Sequence, residues 1–256
     1  MYSIAAPHAK GKSAEDNIFA ANNRAIALAK EIGVENVTNA TVGSILDEDG
    51  SLVVLDVVKQ ELKNLTPPEF CAYAPIKGYD EFLKDCIDQC FGKSRPEGYI
   101  DACATPGGTG VLHHVVHNYS EPGDEVLITD WHWGAYDSLI DDNNRKVRTF
   151  SFLTSDGHFN AASFKENVED ILKKQDNIVI ILNGIANNPT GYCMSVAEWQ
   201  SAVDVLKEAT KDETKNAILI ADVAYLDYSG EKEECRFRGP PQAENPAGQD
   251  SFYTVA

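Results

Sequence analysis

From residue 99 to residue 221 the chain alternates short apolar runs with stretches of helical periodicity, and this limits its architecture more than any other feature. Residues 99–104, 125–129, 147–152, 177–182 and 217–221 read as strands. Between them, residues 111–119, 134–141 and 161–174 read as helices. A further helix runs to Ala209 from the capping box Ser195-Val-Ala-Glu198. Several of the strands are apolar at nearly every position, as strands covered on both faces are. The fold class is therefore α/β, a mostly parallel sheet with helices on both faces.

Before residue 99 the pattern is looser. Ser13-Ala-Glu-Asp16 resembles a capping box for a helix that runs to Ile32 and stops at Gly33. An extended stretch at 36–41, Gly43 and a turn at Asp47-Glu-Asp-Gly50 follow. Residues 53–62 and 79–91 read as helices, the second with Phe82, Leu83, Cys86, Ile87, Cys90 and Phe91 on one face. A Pro/Gly-rich loop occupies 239–248, and residues 251–256 read as a buried strand at which the sequence stops. Termini rarely fall inside core elements, so a fragment of a longer protein is expected.

Composition narrows the function. Against 22 basic residues stand 40 acidic ones, a net charge of −18, which would repel nucleic acid and anionic membranes at long range. No apolar run approaches the ~18 residues of a membrane helix, and the first residues lack the charged and apolar regions of a signal peptide. Six scattered cysteines include no Cys-x-x-Cys pair, and Cys86 and Cys90 read as buried thiols. A soluble cytoplasmic protein with reduced thiols is expected.

In an open parallel sheet, ligands bind outside the carboxyl ends of the strands, and four polar or aromatic segments fall there. Thr105-Pro-Gly-Gly-Thr109-Gly110 is either a plain tight turn or a phosphate cradle, in which backbone N–H groups, a helix N-terminus and the Thr109 hydroxyl face an anion. Trp131-His-Trp133-Gly-Ala-Tyr136 offers an indole that either fills the core or stacks on a flat heteroaromatic ring. Asn187-Asn188-Pro189-Thr190-Gly191 is ordinary turn punctuation, or else it presents the Asn188 amide to a ring oxygen. Asp222, followed by Tyr225, emerges from the apolar strand 217–221 and needs a positive partner. That partner is either a protein cation or a protonated heterocyclic nitrogen, unless the Asp caps a helix; Tyr225 could reach a neighbouring ring oxygen. A phosphate cradle, a stacking ring, an amide donor and a buried anion together complement pyridoxal 5′-phosphate, whose protonated ring is an electron sink.

In order and spacing these segments resemble the fold-type I pyridoxal-phosphate aminotransferases (class I/II), specifically the aspartate and aromatic amino-acid group. The resemblance runs from about Asn39 to the last residue. Asn39-Ala-Thr-Val-Gly43 is similar to the family's segment near the substrate carboxylate. Tyr73-Ala-Pro-Ile-Lys-Gly78 resembles the segment whose Tyr reaches the neighbouring subunit's cofactor phosphate. The resemblance implies phosphate contacts at Gly108 and Thr109 and a stacking role for Trp133 rather than Trp131. It also implies O3′ contacts from Asn188 and Tyr225 and a pyridine-nitrogen contact from Asp222. Gly43, Trp133 and Asn188 are the implied substrate contacts.

The resemblance further implies a homodimer that transfers an amino group between amino-acid and 2-oxo-acid substrates. Residues 1–52 would begin a small domain, and 53–256 would form an incomplete large one. Tyr136 stands where the family commonly has His, and His113 where an Arg often follows the phosphate loop; both leave substrate preference open. The family's Schiff-base Lys, the phosphate-binding Arg after it and the C-terminal carboxylate-binding Arg have no counterparts here, so the chain by itself is expected to be inactive. A fold-type I lyase or decarboxylase, or a non-catalytic module that binds the cofactor, would use the same pocket. A nicotinamide dehydrogenase is disfavoured, because no Gly-x-Gly-x-x-Gly follows the first strand.

Overall fold

The computed structural model describes residues 4–10, 17–230 and 251–255. The expected capping box at 13–16, the loop at 239–248, Cys235 and Ala256 lie outside the described residues. The chain divides into two compact units, Met1–Tyr73 and Ala74–Ala256.

In the first unit, α1 (Asn17–Ile32) ends at Gly33, whose φ of +98° suits a residue without a side chain. Asn39 Nδ2 donates to Asn22 Oδ1 at 2.7 Å and so ties the following segment back to α1. The turn at 47–50 closes a small antiparallel bridge, Leu46 to Leu52. Helix α2 (Asp56–Asn64) begins three residues later than the periodicity predicts, because the Val53 N–H is committed to Ile45 O at 3.0 Å. A short helix α3 (Pro67–Cys71) follows, which the sequence reading did not anticipate. No described residue of this unit is buried.

The second unit holds the sheet. Its elements are α4 (Asp80–Phe91), α5 (Gly107–Tyr119), β1 (Glu125–Thr129), α6 (Ala135–Asp142), β2 (Lys146–Phe150), α7 (Ala161–Leu172), β3 (Asn177–Leu182), α8 (Val196–Ala209), β4 (Asn216–Asp222) and β5 (Ser251–Val255). The strands run parallel in the order β2-β1-β3-β4-β5. Alternation along each strand divides the core. Leu127, Ile178, Ile180, Leu182 and Leu219 face α7 and α8, with Phe164, Ile171, Trp199 and Ala202. Val126, Ile128, Val179, Ile181 and Ile220 face α5 and α6, with Leu112, Val116 and Ile140. Both faces are covered, which is why the strands read as continuous apolar runs. On α4, Leu83 and Cys90 are buried and Cys86 is half-buried.

Two expectations are corrected. Residues 99–104 form no strand: Tyr99 is exposed, and among the described residues their one backbone tie is Ala104 N–H to Lys77 O at 2.7 Å, with no ladder to hold them extended. Helix α5 begins at Gly107, not 111, so the glycine segment is its first turn.

The direction of α5 follows from one contact. Asn177 Nδ2, at the start of β3, donates to Tyr119 O, at the end of α5, at 3.4 Å. A helix of 13 residues is about 20 Å long and matches the length of β3, so Gly107 lies at the carboxyl ends of the strands. The far end is clamped by Arg145, a buried guanidinium that donates to Ser120 Oγ at 3.0 Å, His117 O at 3.1 Å, and the carbonyls of Ser120 and Asn143. A cation on the last carbonyls of α5 satisfies them and complements the helix dipole.

Candidate functional site

Strands β3 and β4 are in register, Leu182 beside Ala221, so the residues that follow emerge side by side. Asp222 is only 7% exposed. Its Oδ2 accepts a very short hydrogen bond from the Tyr136 hydroxyl, and its Oδ1 accepts from Ala224 N–H at 3.1 Å. Both donors are neutral. Among the described residues no Lys, Arg or His pairs with this carboxylate. A buried carboxylate held by neutral donors alone lacks a positive partner among the described residues.

Asn183 joins the two strand ends. It is 4% exposed, its Nδ2 donates to Asp222 O at 2.9 Å, and its Oδ1 accepts from Asn188 N–H at 2.7 Å. Asn187, 2% exposed, donates to Asn183 O at 3.0 Å and accepts from Thr190 Oγ1 at 2.7 Å. The Asn188–Pro189 peptide is cis. These bonds bring Asn188 Nδ2 to 3.4 Å from the Tyr225 hydroxyl, so two polar groups converge beside Asp222.

At the end of β1, Asp130 Oδ1 accepts from Trp131 N–H at 3.0 Å and Phe152 N–H at 2.9 Å, which anchors the aromatic segment to the residues that follow β2. Trp131 is exposed. Trp133 is half-buried, and its ring meets Tyr136 edge-to-face, with centroids 5.7 Å apart at 82°. Tyr136 also lies parallel to the His132 ring at 6.2 Å and 12°. His132 is held by Thr129 O at 2.7 Å and Asp137 Oδ2 at 3.1 Å. Burial first, and then the Asp222 charge, push the Tyr136 hydroxyl well above the usual phenol range, so it remains a donor.

The first turn of α5 completes the set. Gly107, at φ +67°, turns its N–H back to Thr105 O at 2.7 Å, while the Gly108 and Thr109 N–H groups precede the first i→i−4 bond of the helix. A Cβ on Gly110 would stand 2.9 Å from Pro106 Cδ and 3.0 Å from Thr105 Cβ, so the loop folds closely over this turn because position 110 is glycine. Free amides at a positive helix end suit a phosphate.

By residue type the set fits pyridoxal 5′-phosphate: an uncompensated carboxylate for the ring nitrogen, an amide and a phenol for a ring oxygen, an indole for the ring face and helix amides for the phosphate. Gly43 and Tyr73 belong to the first unit, where both are exposed. Asn183 and Asp130 are components that the sequence reading did not single out, and Asn187 entered it only as part of its turn. The one available signal was that Asp130 and Asn183 are the first polar residues after apolar strands.

Residues 35–240 match the family model for aminotransferase class I and II. The chloroplastic aspartate aminotransferase of Arabidopsis thaliana is 30% identical over 198 residues, 75% of this chain and 42% of that protein. An aromatic-amino-acid aminotransferase of Pseudomonas aeruginosa is 25% identical over 201 residues, 75% of this chain and 48% of that one. Among solved structures, an aminotransferase from Anaerococcus prevotii superposes with a TM-score of 0.85 at 36% identity, over 90% of this chain and 56% of the other. The chain spans about half the length of the curated relatives it matches.

Proposed function

Because this chain belongs to the aminotransferase class I and II family, we propose that it forms the cofactor pocket of an enzyme that moves the amino group of an aspartate-type or aromatic amino acid to a 2-oxo acid. Pyridoxal 5′-phosphate, when bound, supplies the electron sink for a carbanion at the amino-acid α-carbon. Asp222 holds a proton at the ring nitrogen, and its burial among neutral donors is the observation that carries this reading. Asn188 and Tyr225 bind the ring oxygen, Trp133 lies against the ring face and excludes water from it, and Gly108 and Thr109 hold the phosphate. Trp133 and Asn188 border the substrate.

Tyr73 serves the other subunit's phosphate in a homodimer. Residues 1–52 start a small domain, and 53–256 form most of a large one. The proton transfer at the α-carbon falls to a lysine that has no counterpart in these 256 residues.

Pyridoxamine 5′-phosphate, which has no aldehyde to react with surface lysines, is the appropriate probe. Titrated into the wild-type chain, it should bind roughly tenfold or more weakly after Asp222→Ala, but only a few-fold more weakly after Asn188→Ala. A bond to a charged group contributes about 1.5–3 kcal/mol and a neutral one about 0.5–1.5 kcal/mol. Equal and mild losses in the two variants would contradict the assignment.

A further inference from the structure

Tyr136 stands where the family commonly has His, a difference that leaves substrate preference open, yet it is 2% exposed and its hydroxyl is committed to Asp222. We propose that Tyr136 is a positioning residue: by donating a neutral hydrogen bond to Asp222 Oδ2, it fixes the carboxylate so that its negative charge stays available to a cationic ring nitrogen. The inference rests on the reading of Asp222 given above. Lys, Arg or protonated His in that place would also orient the carboxylate, but each would cancel the charge the ring needs. A phenol orients it and leaves the charge in place.

Three observations support the role. The Tyr136 ring is held between His132, parallel at 6.2 Å, and Trp133, edge-on at 5.7 Å, so its hydroxyl has a fixed direction. The other carboxylate oxygen is tied to Ala224 N–H at 3.1 Å, which together with Tyr136 determines the plane of the group. The hydroxyl stays protonated across the working pH range, because burial and the adjacent carboxylate both disfavour the phenolate. Without this donor the carboxylate can turn about its Cβ–Cγ bond, and no directed anion meets the ring.

The test compares pyridoxamine 5′-phosphate with its 1-deaza analogue, which has carbon in place of the ring nitrogen, in wild type, Tyr136→Phe and Tyr136→His. Affinity is read by titration, and ring orientation by the circular dichroism induced in the ligand band. Wild type should prefer the natural ring. Tyr136→Phe should cut that preference roughly tenfold and weaken the induced signal, while affinity for the deaza analogue stays the same. Tyr136→His, which keeps a ring donor, should preserve most of the preference.

Three outcomes overturn the proposal. No preference in wild type refutes the reading of Asp222 and removes the basis for the Tyr136 role. A wild-type preference that Tyr136→Phe leaves intact refutes the Tyr136 role alone. If Tyr136→Phe does not fold, the pH profile of Tyr136→His decides: a preference kept while the imidazole is neutral and lost as it is protonated supports the role, and a preference indifferent to that protonation contradicts it.

Discussion

Asp222 is a poor residue for stability and a good one for chemistry. Removing a carboxylate from water is costly, and its two neutral donors offset only part of that cost. Asn has the same shape and no charge. It can accept from Ala224 N–H through its oxygen and donate to the Tyr136 hydroxyl through its amide. Chemical denaturation of Asp222→Asn without ligand should therefore give a stability equal to or above wild type, while ring binding is lost. A loss of more than about 1 kcal/mol would mean that the charge serves the fold instead. Asp222, Asn188 and Tyr225 are conspicuous in the sequence as polar residues in the segments that follow apolar strands, whereas the choice of Trp133 over Trp131 comes from the resemblance. The pairing of Tyr136 and Asn183 with Asp222 could not be read, because it spans 86 and 39 residues along the chain. Hydrogen bonds across such separations leave no local pattern.

Among the elements, β1, β3 and α8 lie where the sequence places them, since apolar runs and a capping box are local signals. Residues 99–104 and 53–55 differ, because whether they join a strand, a hairpin or a helix depends on the neighbours they meet. Glu198 shows how an element is anchored. It caps α8 through Ser195 N–H and Oγ at 2.7 and 2.8 Å, and it accepts from Tyr192 Oη at 2.5 Å and Phe159 N–H at 2.8 Å. Burial opposes its charge, but these bonds overcome the penalty and hold the carboxyl at about 2, below its ordinary 4.5. A carboxyl whose value is lowered by folding stabilises the protein above the unfolded value and loses that contribution as pH falls through the folded one. The Glu198 contribution is therefore complete above about pH 4.5 and gone by about pH 2. Glu198→Gln should be less stable than wild type at neutral pH, and the difference should shrink between these limits in acid denaturation. A difference that does not vary with pH would show that the carboxylate charge is irrelevant.

Over the whole molecule, cohesion is uneven. The second unit carries two cores, one on each side of the sheet, whereas no described residue of the first is buried. Ile45, Leu52, Leu55, Leu62 and Phe70 of the first unit are all exposed. Amide hydrogen exchange should therefore be slowest in β1, β3 and β4 and fast throughout residues 17–73. Comparable protection in both units would contradict this division. The α/β class was evident in the sequence because a sheet covered on both faces imposes continuous apolar strands. The order β2-β1-β3-β4-β5 was not, because strand adjacency is determined by long-range pairing.

The central claim is that a buried carboxylate, left with its charge, awaits a protonated ring nitrogen. Pyridoxamine 5′-phosphate labelled with 15N in the ring, bound to the wild-type chain and to Asp222→Asn, reports that proton directly through its chemical shift. The ring nitrogen should remain protonated in wild type at pH values where the free ligand has lost the proton, and should be unprotonated in Asp222→Asn. A neutral ring nitrogen in wild type, or the same shift in both proteins, would contradict the claim.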